Sequence, residues 1–525
     1  MKKNLLENEN WGLSAFILLL LVYFFYIGTF QYLFYGPDSI HFIRQIDSLN
    51  FIQFYRENGM KFFNTGSYSL ESIEGKGICE FPLHYYLIAW FENVFGENIL
   101  YLRFWNFIWS TIAIILFYKT VQKFLNFWPI SVALCLLLFS SGVLQYYENN
   151  YLPDATACSF SLIGFYFAKC YLDKPNFKWI IWTFIFLTWA ALLKPTFLLV
   201  YGSISLAIIF SDNFGIESIK KHKYWLCFQL ISLLLVITWA YYLNWYNDQF
   251  NNFYFLTNIT PIWKLSRVEI DAVFESVTNF WWTHYYVKPF HIIFLIVILI
   301  GLGGYKKANR FLYLLGLFSL LGSLTYILLF YKQFRDHDYY FILISFTIFI
   351  NILNSVYVII QYLPKRKFNY VIVSVLIVGI VHSSLKVKLQ LKERYTLDYN
   401  LYYARVYKDL LAAKPKFDAL NVKEERVLIY PEEARNGALY ALRRYGRAIA
   451  NWDENAVRDK FYEIGFYEGD NTIIILTDTI YNHKDYLKEF LGDEIMREGR
   501  ISAYKYSVKY RQEAANQRAL REQGQ

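Results

Sequence analysis

Acidic and basic residues stand at the mouths of long apolar stretches in this chain. Asp38 follows the first stretch in Phe34-Tyr35-Gly36-Pro37-Asp38, Glu80 precedes Phe81-Pro82-Leu83-His84-Tyr85-Tyr86, and Asp154 follows Pro153. Arg103 leads into a second apolar run, Lys194 sits in Leu193-Lys194-Pro195, and His337-Asp338-Tyr339-Tyr340 opens a later one. Ionisable side chains near membrane depth are costly, which makes such positions functional candidates. A carboxylate can take the proton of an acceptor hydroxyl while Lys and Arg steady a departing phosphate, so glycosyl transfer from a polyprenyl-phosphate sugar fits these residue types. The same pairing suits anion transport. Plainer duties also remain open: Asp154 can cap a helix, Glu80 can be a solvated loop charge, Arg103 and Lys194 can anchor helices at the interface, and Tyr339 can belong to an aromatic belt.

The elements that must hold these residues are membrane helices. Hydrophobic residues make up 56% of the 525 and charged residues only 18%, below the roughly 25% of soluble chains. Apolar runs of roughly 17 to 24 residues match a hydrocarbon layer of ~30 Å. They lack the short alternation of a lipid-facing barrel, and backbone groups in lipid must bond internally, so helices are expected. The runs predict about eleven spans near 12–35, 104–119, 127–146, 155–171, 178–192, 195–211, 224–244, 289–305, 311–330, 339–360 and 368–384.

Loop charge gives these spans a sidedness. With a cytoplasmic N-terminus, Lys2-Lys3, Lys119, Lys123, Lys174, Lys178, Lys220-Lys221, Lys223, Lys306-Lys307, Arg310 and Lys365-Arg366-Lys367 fall inside. That is the positive-inside pattern, and it puts the candidate residues outside. An odd number of spans also places the C-terminal portion outside. The first run lacks a small-residue cleavage site and reads as a retained helix. The loops account for much of the net charge of +9, which calls for no nucleic-acid partner.

Two outer regions, 36–103 and 245–288, are too long for turns. The first holds an interfacial helical pattern from His41 to Arg56 and an apolar segment, Phe81 to Phe95, that reads as a re-entrant or membrane-skimming helix. The second is rich in Asn, Trp and Tyr, which suits interfacial anchoring. The chain thus divides into a transmembrane domain, 1–384, and a soluble α/β domain, 385–525. Within the latter, Arg426 to Tyr430 and Thr472 to Leu476 read as strands, Glu432 to Tyr445 and Lys484 to Leu491 as helices, and the tail from Arg511 as a loose end or weak helix.

Several chemistries find no motif. Gly301-Leu302-Gly303-Gly304 ends a membrane run without the strand and Lys-Ser/Thr context of a phosphate loop. There is no His-Glu-x-x-His and no Gly-x-Ser-x-Gly. The five cysteines have no zinc or redox spacing, and no structural disulfide is expected.

The order Asp38, Glu80-Phe81-Pro82-Leu83, Tyr85-Tyr86-Leu87, Phe95-Gly96, Arg103, Pro153-Asp154, Lys194-Pro195 and His337-Asp338-Tyr339-Tyr340 resembles the large-loop membrane glycosyltransferases of the C-type fold. The likeness is to bacterial relatives of the dolichyl-phosphate-mannose protein mannosyltransferases and of the lipid A aminoarabinose transferase, and it runs over most of 12–384.

The resemblance implies a polytopic helical enzyme of the bacterial cytoplasmic membrane, with its C-terminal domain outside. Such an enzyme moves a sugar directly, with inversion, from a polyprenyl phosphate to a protein, lipid or glycan acceptor. Asp38 looks like the general base, Glu80 like the acid opening the re-entrant helix and Asp154 like the second acidic site. Arg103, Lys194 and His337 correspond to donor-phosphate ligands, with Tyr339 nearby. The chain departs from many relatives in two places. Asp38-Ser39 replaces a pair of acids, and Asp338 adds a charge, open to an acceptor amine or a cation, within a His-Pro-Tyr-Tyr-like element. Asp38, Glu80 and Asp154 could hold a divalent cation through oxygens, although no spacing demands one. The protein is expected to act as a monomer. A glycan polymerase or ligase using the same donor, and a transporter or flippase of lipid-linked sugars, are the rival readings. The transporter would call for polar groups through both membrane halves and for repeated halves, neither of which is evident.

Overall fold

The computed structural model describes residues 9–212, 216–254, 259–396, 401–420, 426–450, 453–468 and 472–507. The predicted tail from Arg511 lies outside them. The chain forms two compact units: one comprises 1–36, 99–242 and 257–396, the other 37–98, 243–256 and 397–525.

The first unit is helical. Among the described residues, seven helices are long and apolar enough to cross a membrane: Asn10–Ile27, Leu100–Leu125, Pro153–Asp173, Lys223–Gln249, Arg310–Leu329, Asp338–Tyr362 and Arg366–Thr396. Two bent pairs raise the number to nine if each counts as one span. The expected eleven are therefore corrected to seven to nine.

Three physical reasons account for the difference. The apolar run 127–146 is broken into Trp128–Phe139 and Gly142–Glu148 with an 82° bend. There Ser140 Oγ donates to the Leu136 carbonyl at 2.6 Å and Ser141 caps the next helix. Lys288–Gly303 is joined at 85° to Arg267–Tyr285 instead of standing alone. Phe177–Leu193, with 17 residues, rises about 26 Å, short of a ~30 Å layer, and Pro195–Ser211 is likewise too short.

Small and polar side chains bring the helices together. A Cβ at Gly316 would meet Asn351 Oδ1 at 2.7 Å, and Asn351 Nδ2 donates to the Gly316 carbonyl at 3.2 Å. Such a contact replaces the hydrophobic drive that lipid does not supply between helices.

The second unit contains the helices Phe42–Glu57 and Leu83–Phe95 and a five-stranded sheet. Its strands are β1 (Arg426–Tyr430), β2 (Gly446–Ala448), β3 (Thr472–Leu476), β4 (Leu491–Glu498) and β5 (Ile501–Tyr506), in the order β2-β1-β3-β5-β4. β1 pairs in parallel with β2 and β3, and β3 and β4 pair antiparallel with β5. All five residues of β3 are buried, as its continuous apolar run requires of a central strand covered on both faces. Val457, Phe461, Leu487 and Phe490 pack with Leu428 and Ile474 in the domain core. β4 forms the edge, where a register shift and the charged Asp493-Glu494 discourage further strand pairing. The five cysteines are free.

Candidate active site

Proline sets the geometry of the first unit's site. Pro195 disfavours helical backbone at the residue before it, so Lys194 is extended (φ −142°, ψ 105°) and ends the helix Phe177–Leu193. Pro153 instead opens Pro153–Asp173 at its first position, and Asp154 falls in the first turn, where the helix dipole favours a negative charge. These two breaks bring Lys194 Nζ to 3.3 Å from Asp154 Oδ2. Lys194 also lies 5.8 Å from the centre of the Tyr339 ring, and His337 is 5.3 Å from the same ring. Four predicted residues, Asp154, Lys194, His337 and Tyr339, therefore gather in one place.

Arg103 is wholly buried in the same unit. It donates to the Tyr32 carbonyl, and its guanidinium lies 4.9 Å from the Tyr151 ring and 5.6 Å from the Tyr395 ring. Its Nε and Nη2 make no hydrogen bond among the described residues. A buried cation with donors to spare, held between aromatic faces, is suited to an anion.

Asp338 is fully buried and occupied. Arg394 Nη2 lies 2.5 Å from its Oδ2, and Tyr147 Oη donates to its Oδ1 at 2.5 Å. Arg394 Nε lies 3.3 Å from His284 Nδ1. The charge that the sequence leaves open to an acceptor amine or a cation is thus spent on an internal ion pair. That pair fixes the short turn Asp338–Tyr340 between His337 and the membrane helix that follows.

The second unit holds Asp38 and Glu80. Asp38 Oδ1 accepts the Ser39 N–H at 2.8 Å, and Oδ2 lies 2.9 Å from Lys408 Nζ. Gln45 Nε2 holds the Asp38 carbonyl at 2.7 Å. Ser39 adopts a left-handed backbone (φ 59°), which turns its N–H onto the carboxylate. Glu80 is buried and pairs with Arg44, whose Nη1 is 3.7 Å from Asp47 Oδ2. Asp47 takes hydrogen bonds from Asn436 Nδ2 at 2.6 Å and Tyr254 Oη at 3.2 Å. Burial pushes the Asp47 carboxyl up to about 6 despite the pull of Arg44, Asn436 and Tyr254.

Among the described residues, no three His, Cys, Asp or Glu side chains gather as ligands for a metal ion.

Reading from sequence misses Arg44, Asp47, Arg394 and Lys408. Arg44 and Asp47 lie one helical turn apart within His41 to Asp47, a spacing that could have flagged an ion pair. Arg394 lies past the last predicted span, and nothing local marks Lys408.

With this geometry in hand, the comparisons place the fold. Residues 80–242 match the family of dolichyl-phosphate-mannose-protein mannosyltransferases, a stretch that contains Glu80, Arg103, Asp154 and Lys194. ArnT from Cupriavidus metallidurans, solved bound to undecaprenyl phosphate, is similar with a TM-score of 0.59 at 10% identity, over 95% of this chain and 98% of that one. The Archaeoglobus fulgidus oligosaccharyltransferase in its apo form gives 0.57 at 10% identity, over 96% and 76%. The oligosaccharyltransferase AglB from the same organism, solved with an inhibitory peptide and a dolichol-phosphate, gives 0.56 at 10% identity, over 95% and 74%. No curated protein matches the chain in sequence. The chain is a multi-pass helical membrane protein with the C-type glycosyltransferase fold and a small C-terminal sheet domain.

Proposed function

We propose that this protein transfers a sugar from a polyprenyl-phosphate donor to a protein, lipid or glycan acceptor on the extracytoplasmic face. The observation that carries the reading is the Lys194 to Asp154 pair, 3.3 Å apart beside Tyr339. It sits in a fold that ArnT shows bound to undecaprenyl phosphate and AglB shows with a dolichol-phosphate.

In this reading Asp38 takes the acceptor proton, the acceptor oxygen attacks the anomeric carbon, and the carbon–oxygen bond to phosphate breaks with inversion. Lys194 and Arg103 meet the charge that develops on the leaving polyprenyl phosphate, with His337 and Tyr339 beside them. Asp154 holds the Lys194 ammonium at the break, and Glu80 holds Arg44. The contact between Asp38 and Lys408 does not oppose this role. The Lys408 side chain is 63% exposed, and such pairs contribute only about 0–1 kcal/mol.

If each bent pair counts as a span, giving nine, a cytoplasmic N-terminus keeps the basic loops on the inner side, and in this reading the C-terminal domain lies outside. The domain division at 384 and a monomeric state belong to the same proposal.

The test is to incubate the purified full chain with a panel of polyprenyl-phosphate sugars and candidate acceptors and to measure released polyprenyl phosphate. Release that requires an acceptor is the expected result. Movement of intact donor across a bilayer without release would favour the transporter.

A further inference from the structure

A cavity of about 170 Å³ in the second unit is lined by Asn436 and Tyr254, which hydrogen-bond the buried Asp47 behind it. One water needs roughly 10–15 Å³ by the same measure, so the cavity has room for a sugar ring. Its walls carry Ser69, Ser72, Asn251, Asn252 and Asn436, whose hydroxyl and amide groups both donate and accept hydrogen bonds, as sugar hydroxyls do. The charged groups lining it, Arg435 and Glu71, pair with each other and leave the lining neutral. A neutral lining disfavours a phosphate or carboxylate ligand.

Two further observations point to an occupant. Asn436 is 98% buried, and because its Nδ2 is given to Asp47 at 2.6 Å, its amide orientation is fixed with Oδ1 as an acceptor. Among the described residues that Oδ1 has no hydrogen-bond partner, which is costly for a buried carbonyl unless a ligand hydroxyl supplies one. Phe253 on the same wall is 79% exposed and offers an apolar face for the C–H side of a sugar ring. Tyr254 and Asn252 brace this wall: Tyr254 N donates to Asn252 Oδ1 at 3.1 Å, and Asn252 Nδ2 donates to the Lys76 carbonyl at 3.0 Å.

We infer that this cavity is a subsite for an uncharged sugar residue of the acceptor. The inference rests on the glycosyl-transfer reading for its purpose but not for its chemistry. Asp47 acts from behind the wall as a positioning residue, holding the Asn436 amide with its Oδ1 free to accept and holding the Tyr254 ring in place through the hydroxyl it binds.

The experiment uses the full chain in detergent, without donor. Saturation-transfer NMR is run with the methyl glycosides of glucose, galactose and mannose, with glucose 6-phosphate and with a serine-containing peptide as comparisons. At least one neutral glycoside should bind. Phe253→Ala and Ser69→Leu should each weaken it by about tenfold, the worth of one good contact, while Asp493→Asn at the edge of the sheet leaves it unchanged. Failure of all neutral glycosides to bind, equal binding by both cavity variants, or preference for the peptide or the phosphate would overturn the subsite. Because no donor is present, this binding is read independently of transfer: glycoside binding here together with no acceptor-dependent release in the donor assay would overturn the glycosyl-transfer reading alone and leave the subsite standing.

Discussion

Each unit buries a cluster of charge, and the two are balanced differently. In the membrane unit one carboxylate, Asp338, meets one guanidinium, Arg394, with Tyr147 completing the set. In the other unit Arg44 serves two carboxylates, Glu80 and Asp47. The first arrangement has no proton to spare and acts as a rivet beneath His337 and Tyr339. The second has two carboxylates for one guanidinium, and burial, with the nearby Glu80 charge adding to it, raises Asp47 to about 6. A fixed cluster suits the seating of a phosphate, and a titratable one suits a wall whose hydrogen bonds reach a ligand cavity.

The largest effect should come from unbalancing the rivet. Arg394→Ala leaves Asp338 buried and unpaired, at a cost of about 3–5 kcal/mol. The double variant Asp338→Leu with Arg394→Met should regain most of that stability, as measured by thermal unfolding in detergent. A double variant as unstable as the single would mean that the ion pair is more than a rivet.

The second cluster should reveal itself through pH. The native pKa of Asp47, about 6, lies above its ordinary value of 3.8, so the folded state holds the proton more tightly. Its contribution to stability is then fully present below pH ~4 and is lost as pH rises to ~6. Asp47→Asn should flatten the stability profile between those limits, and an unchanged slope would remove Asp47 as the titrating group. Smallest of all is Lys408→Ala, which breaks an exposed pair and should shift stability by under about 1 kcal/mol. A larger loss would show that Asp38 depends on Lys408.

What the sequence discloses follows from how local the cause is. β1 and β3 have the expected bounds because continuous β-branched and apolar residues between polar flanks leave little choice. The breaks at Lys194 and Asp154 are legible because proline acts on its immediate neighbour. The predicted helix over Glu432 to Tyr445 shortens to Arg435–Leu442, and the one over Lys484 to Leu491 to Asp485–Lys488. In the latter case Leu491 joins β4, whose Gly492-Asp493-Glu494 gives no strand pattern by itself.

The Arg394 partnership is hidden for another reason. Hydropathy ends the last span at 384, but the helix Arg366–Thr396 runs 31 residues and carries its arginine to a partner 56 positions earlier in sequence. Hydropathy likewise joins 127–146 into one span, because Ser140-Ser141 scarcely lowers its average.

The central claim is that Asp38 takes the acceptor proton. The direct measurement is single-turnover transfer by Asp38→Asn on a polyprenyl-phosphate sugar that the native chain uses, with donor binding followed in parallel. A neutral amide cannot act as the base, so transfer should fall by about 10²–10⁴-fold while donor binding stays within the native range. Transfer at near-native rate with intact donor binding would contradict the account.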